Sequence, residues 1–133
     1  MLVSTVFEHQ VSVRWRDVDG LGHVNHAVFL TYLEEGRDAF YAQILGRDPI
    51  YVVVRIEIDL RAEVRYPDRK VTARIEVERV GTTSLTTRET ILTPAGEEAA
   101  QARVVSVRWD AGLGQPVPFS EAERAQLAAA TTT

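Results

Sequence analysis

The sequence contains no cysteine. Disulfides, thiolate nucleophiles and Cys-ligated zinc or iron–sulfur sites are therefore excluded. Lysine is almost absent too: Lys70 stands alone beside fourteen arginines. Arginine is the better side chain for forked phosphate contacts, although a bias this broad also follows from genome composition. There is no surplus of positive charge. The net charge is −4, so no global field draws nucleic acid to the chain. No apolar run approaches the roughly 20 residues of a membrane span, and no membrane partner is expected. The opening stretch, Met1 to Glu8, lacks the basic start and long apolar run of a secretory signal, so a cytoplasmic location is the default expectation. The chain is 45% hydrophobic and 26% charged over 133 residues, ordinary values at a length that suits one domain over 1–133.

Hydrophobic periodicity divides the chain. Phe7, Val11, Val13 and Trp15 share one parity and predict a first strand over residues 6–15, with His9 on the same face. Residues 16–25 form a loop rich in Asp, Gly and His. Phe29, Leu33, Phe40 and Ile44 sit at helical spacing, widened by Leu30, Tyr41 and Leu45, and predict a helix over 26–45. Asn25 suits its N-cap and Gly46 its end. Gly36 in mid-helix costs roughly 1 kcal/mol against Ala, which points to something packed close to the helix backbone.

Residues 52–66 alternate between Val54, Ile56, Ile58, Leu60, Ala62, Val64, Tyr66 and a charged set, predicting a long strand with one wet face. Three more strands follow, at 71–77, 85–93 and 99–109, joined by short turns and hence antiparallel. Residues 111–118 read as irregular, Glu121 to Ala130 as a short helix, and Thr131 to Thr133 as a frayed end. One apolar helix and one apolar sheet face need each other, so the fold class is α+β, with the sheet curling around the helix. Long strand edges are hazards unless paired, and a homodimer through sheet edges or loops is expected.

The chemistry concentrates in Asp17-Val18-Asp19-Gly20-Leu21-Gly22-His23-Val24-Asn25-His26, between the first strand and the long helix. A helix N-terminus offers unpaired N–H groups and a partial positive charge, which can hold a carbonyl oxygen as negative charge develops on it. A carboxylate on the adjoining loop can act beside it as general base or nucleophile. Each residue also has a plainer reading. Asp19 suits an Asx-turn before glycine. Asp17 reads as an exposed loop or ion-pair residue. His23 and Asn25 suit loop organisation, and His26 faces either substrate or structure. His23 and His26 make only a weak metal pattern, and no metal is assigned. Glu34 and Glu35 read as a solvated helix face, with Glu34 pairing Arg37 at i,i+3.

The run from Asp19 to His26, followed by Tyr32-Leu33-Glu34-Glu35 and Arg37, resembles the 4-hydroxybenzoyl-CoA thioesterase branch of the hotdog superfamily. The spacing matches without gaps, and the element order matches over roughly residues 6–110. The resemblance implies one long central helix wrapped by a curved antiparallel β-sheet, with active sites at the interface of a homodimer or homotetramer. It implies hydrolysis of an acyl-CoA or acyl-carrier thioester, with no cofactor. By that resemblance Asp19 is the catalytic carboxylate and the His26 amide the oxyanion donor, seven residues on. The 4-hydroxybenzoyl-CoA enzyme has basic residues for the CoA phosphates at the turn after its third strand. This chain has Gly81-Thr82-Thr83 there, so Thr82, Thr83 and Ser84 join His23 and Asn25 as substrate-binding candidates. Arg79, Arg88 and the Arg65/Arg69/Lys70 group are further phosphate candidates. Two other readings stay open: hydration or dehydration of an enoyl thioester by an Asp19–His26 pair, and a non-catalytic acyl-thioester binding module.

Overall fold

The computed structural model describes residues 6–46 and 50–130. The tail expected to fray, Thr131 to Thr133, lies outside the described residues. The elements follow the order strand β1 (Phe7–Ser12), helix α1 (His26–Leu45), strands β2 (Tyr51–Leu60), β3 (Lys70–Val80), β4 (Ser84–Leu92), β5 (Glu98–Asp110) and β6 (Gln115–Pro116), then helix α2 (Glu121–Ala129). The sheet runs β1-β3-β4-β5-β2, with β6 on β5, and every pair is antiparallel. The sheet curls around α1, giving the α+β arrangement that the sequence predicts.

Helix α1 begins and ends as the capping chemistry requires. Asn25 is the N-cap, its side chain accepting from the Ala27 amide, and Gly46 closes the helix at φ 72°. The buried stripe is Phe29, Tyr32, Leu33, Gly36, Arg37, Phe40 and Tyr41. Leu30, expected to widen it, is 40% exposed; the stripe widens through Tyr32 instead. The stripe faces Val71, Ala73, Ile75 and Val77 of β3 and Leu85, Ile91, Ala102 and Val104 of β4 and β5, all buried. Gly36 marks the closest approach. A Cβ added there would meet the Ala73 Cβ at 2.5 Å, so the helix can lie against β3 only with glycine at this position.

A buried ion pair crosses this core. Arg37 donates to both oxygens of Glu89 on β4, at 2.9 and 2.7 Å, and the Thr87 hydroxyl donates to Glu89 Oε2 at 2.7 Å. Burial works against the charge on Arg37, but the hydrogen bonds and field of Glu89 outweigh it and hold its pKa above the ordinary value. The expected Glu34–Arg37 pair is therefore corrected: Arg37 turns inward, Glu34 is exposed, and Glu35 pairs with Arg14 at 2.9 Å. A long-range carboxylate in a dry setting outcompetes a solvated local one.

Two strands depart from expectation. The first ends at Ser12, because residues 15–17 turn into a 3₁₀ helix. The second ends at Leu60 rather than 66, and its register shifts between Val53 and Arg55. That bulge exchanges faces: Val53 lies opposite Ser106, then Ile56 opposite Val104 and Ile58 opposite Ala102. As an edge strand of the sheet, β2 is not half-buried in the expected way. Val52, Val54, Ile56 and Leu60 are 38%, 60%, 37% and 51% exposed.

Candidate active site

The loop from Val18 to Val24 is a miniature hairpin. Val18 and Val24 bridge, the Asp19 amide donates to the His23 carbonyl at 2.8 Å, and the Gly22 amide donates to the Asp19 carbonyl at 3.1 Å. Gly22 sits at φ 83°, a conformation that favours glycine. The hairpin is tied to the segment after β2 by the Val24 amide on the Val64 carbonyl at 2.7 Å and by a His23–Arg65 bridge.

Asp17 anchors the loop to the helix. It is 7% exposed, not the surface residue expected. Its Oδ2 accepts from the Tyr32 hydroxyl at 2.7 Å and from the Arg14 amide at 2.9 Å, and its carbonyl accepts from the Asn25 amide at 2.9 Å. Burial, aided by the hydrogen bond to Asp17, holds the Tyr32 hydroxyl above its usual pKa, so it stays a donor. The buried Asp17 carboxylate is stable because it finds two donors there. Tyr32, one turn before Gly36 on the apolar stripe, was the sequence signal for such a partner.

Asp19 is exposed, and its Oδ1 accepts from the Leu21 and His23 amides at 2.8 and 3.2 Å. The Asx-turn reading is therefore borne out. Its Oδ2 has no hydrogen-bond partner among the described residues. Asp19 also lines a shallow cleft of about 370 Å³ together with His23, Val24, His26 and Phe29 on one side and Leu60 to Glu63 on the other. His23 Nε2 lies 3.3 Å from Glu63 Oε2, which makes it a brace across that cleft. At the helix start, Asn25 Oδ1 takes the Ala27 amide and the Asn25 carbonyl takes the Val28 amide, both at 2.9 Å. The His26 amide is left with no acceptor among the described residues.

Thr82, Thr83 and Ser84 do not join this cleft within one chain. Ser84 is in register with Val107 and Leu60 with Ala100. Those two β5 residues lie roughly 23 Å apart at about 3.3 Å per residue. The Thr82 and Thr83 carbonyls accept from the Phe119 and Arg108 amides, at 2.9 and 2.8 Å. Of the phosphate candidates, Arg65 pairs with Glu63, and Arg69 lies over the Tyr66 ring. Among the described residues no group of three or more His, Asp or Glu is set to hold a metal. The cleft walls Leu60, Ala62 and Glu63 were not foreseen as site residues; only the end of the apolar alternation hinted at them.

The family model described as the thioesterase-like superfamily matches residues 13–127. The chain belongs to that superfamily. Among solved structures, it is similar to a thioesterase from Thermus thermophilus complexed with coenzyme A and Zn, at 34% identity and TM-score 0.79, covering 90% of this chain and 95% of that one. It is also similar to a predicted thioesterase from Bacillus stearothermophilus, at 28% identity and TM-score 0.83, covering 95% and 96%. A Staphylococcus aureus protein in complex with CoA shares the fold at 13% identity and TM-score 0.83, covering 96% and 85%. No curated protein matches significantly. The chain has the hotdog fold of these neighbours, several of which are named as thioesterases; no helix among its described residues is long and apolar enough to cross a membrane.

Proposed function

We propose that this chain hydrolyses an acyl-CoA or similar thioester in the cleft between the Asp19 hairpin and the residues following β2. The observation that carries the reading is the pairing of an unengaged carboxylate oxygen, Asp19 Oδ2, with an unengaged amide, His26 N–H, on one cleft. The thioester carbonyl oxygen accepts from the His26 amide, and the positive end of α1 stabilises the oxyanion. Asp19 Oδ2 removes a proton from water as its oxygen bonds to the carbonyl carbon, or bonds to that carbon itself and is released by water from the anhydride. In either course the C–S bond breaks, and the thiolate leaves and takes a proton. The two hydrogen bonds on Oδ1 hold the carboxylate in place at the cleft and leave Oδ2 for the reaction. The coenzyme A bound by the Thermus relative supports CoA as the carrier.

The unpaired β2 edge, with its exposed apolar residues, supports a homodimer in which two β2 edges pair antiparallel, with a homotetramer as a further association of such dimers. A two-fold axis between Arg55 and Ile56, at the middle of β2, sets Leu60 of one copy beside Tyr51 of the other. Tyr51 is in register with Arg108, whose amide bonds the Thr83 carbonyl. Thr82, Thr83 and Ser84 of the partner subunit then lie three strand spacings, about 14 Å, from the cleft and serve the carrier's polar arm.

Free-thiol release from a panel of acyl-CoAs tests the reading. The wild type turns over at least one member, and Asp19→Asn lowers kcat by about 10²-fold or more. Equal rates would remove Asp19 from the mechanism, and no turnover of any thioester would remove the enzyme reading. Because the His26 side chain lines the same cleft, the hydratase alternative has its own readout: loss of crotonyl-CoA absorbance without thiol release.

A further inference from the structure

The loop that carries Asp19 also carries an aromatic ring that the fold leaves bare. Trp15 is 78% exposed, whereas the other tryptophan, Trp109, is half-buried. Sequence and backbone pairing bring three cations near this position. Arg16 follows it directly. The Val13 amide donates to the Arg69 carbonyl at 2.8 Å, two residues before Trp15, and Lys70 is in register with Ser12. Arg14, Arg61 and Arg65 each have a carboxylate partner; Arg16, Arg69 and Lys70 take part in no ion pair among the described residues. The Arg69 guanidinium lies over the Tyr66 ring at 5.4 Å, which steadies its position, and it donates no hydrogen bond among the described residues. The two loops, 14–24 and 61–70, hold six cations and four carboxylates in a chain of net charge −4, and one of those carboxylates is Asp17, buried on Tyr32.

We propose that Trp15, Arg16, Arg69 and Lys70 form a subsite for the phosphorylated nucleotide end of the substrate, the adenine stacking on Trp15 and the phosphates taken by the three cations. The proposal rests on the thioesterase reading. A bare indole offers a face to any base, and unpaired guanidinium groups suit phosphate. Trp15 is four residues from Asp19, so their Cα atoms are at most about 14 Å apart. A pantetheine arm spans that gap between a carbonyl at Asp19 and a nucleotide at Trp15. The turn after β3, with no cation at residues 81–84, is then free of the phosphate role. One ring with three cations matches a nucleotide. A docked carrier protein needs a face of about 800 Å² on each side.

Trp109→Phe leaves Trp15 as the sole tryptophan, so its fluorescence reports the subsite without any turnover. CoA and 3′-phospho-ADP quench it saturably, and pantetheine does not. In parallel, Trp15→Ala and the Arg16→Gln/Arg69→Gln pair raise KM for an acyl-CoA by about tenfold or more, and leave kcat/KM for the matching acyl-pantetheine unchanged. Absence of quenching, or equal losses on both substrates, overturns the subsite. So does a preference for a carrier-protein thioester that these variants abolish, because the patch is then a protein dock. Failure of wild type to hydrolyse either thioester sinks the thioesterase reading alone, since quenching by 3′-phospho-ADP still reads the subsite directly.

Discussion

Removing one member of the Arg37–Glu89 pair leaves the other charged and without its partner in the core. Arg37 is 2% exposed and Glu89 0%, and three short hydrogen bonds converge on the carboxylate, two from Arg37 and one from Thr87. Glu89→Leu therefore strands a guanidinium beneath the sheet, and Arg37→Met strands a carboxylate. Each is expected to cost about 3–5 kcal/mol. The double variant Arg37→Met/Glu89→Leu strands nothing and recovers most of the loss, because a close-packed apolar pair of similar volume roughly matches a buried ion pair. Urea unfolding of the four proteins measures the cycle, and each single variant lowers Tm by roughly 10 °C or more. Thiol release assayed well below those transitions stays near the wild-type rate, since neither side chain lines the Asp19 cleft. Single variants that each lose under about 1 kcal/mol, or losses that simply add in the double variant, would refute the account of this pair as mutually dependent charges.

Gly36→Ala is expected to destabilise despite the helix propensity of alanine: overpacking against Ala73 costs about 1–3 kcal/mol, against a gain of about 1 kcal/mol, and adding Ala73→Gly restores the urea midpoint. Tyr32→Phe removes a donor from buried Asp17 and lowers stability by about 1–3 kcal/mol in the same assay, whereas Tyr66→Phe, whose hydroxyl makes no such bond, changes it little. Burial pushes the Tyr41 hydroxyl up to about 12 from the ordinary 10.0, against a smaller opposing effect of its Ser106 hydrogen bond. The folded state therefore holds a proton that the unfolded chain releases, and stability complete below pH 10 is lost as pH rises toward 12. Unfolding followed from pH 9 to 12 shows that decline, and Tyr41→Phe makes it shallower.

Helix α1 was legible to the residue because its signals are local: the Asn25 cap, the αL glycine at 46 and a 3.6-residue stripe between them. The even-numbered apolar row from Val54 to Tyr66 misled for a local reason as well. A bulge at Val54 exchanges the two faces, and beyond Leu60 the same alternation continues in a segment held by β5 and the loop hairpin, the Ala62 amide on the Ala99 carbonyl and the Val64 carbonyl under the Val24 amide. Hydrophobic parity says which residues want the core but not whether their backbone pairs as a ladder. Arg37 and Asp17 were misread because their partners lie 52 and 15 residues away in sequence, where pairing follows from topology and not from spacing. The cleft residues Asp19, His23 and His26 could be read because one short run carries all three. Thr82 to Ser84 were proposed from a turn whose position in space no motif specifies.

The cap on α1 has a consequence for what can compete at its mouth. Asn25 consumes the Ala27 and Val28 amides, and in this first turn the His26 N–H is left without an acceptor among the described residues. Tetrahedral oxyanions such as phosphate and sulfate are gripped by several converging donors, while a planar carbonyl needs one. The arrangement is thus a poor trap for inorganic anions, so on the proposed function phosphate is expected to compete weakly with a thioester carbonyl at this helix end.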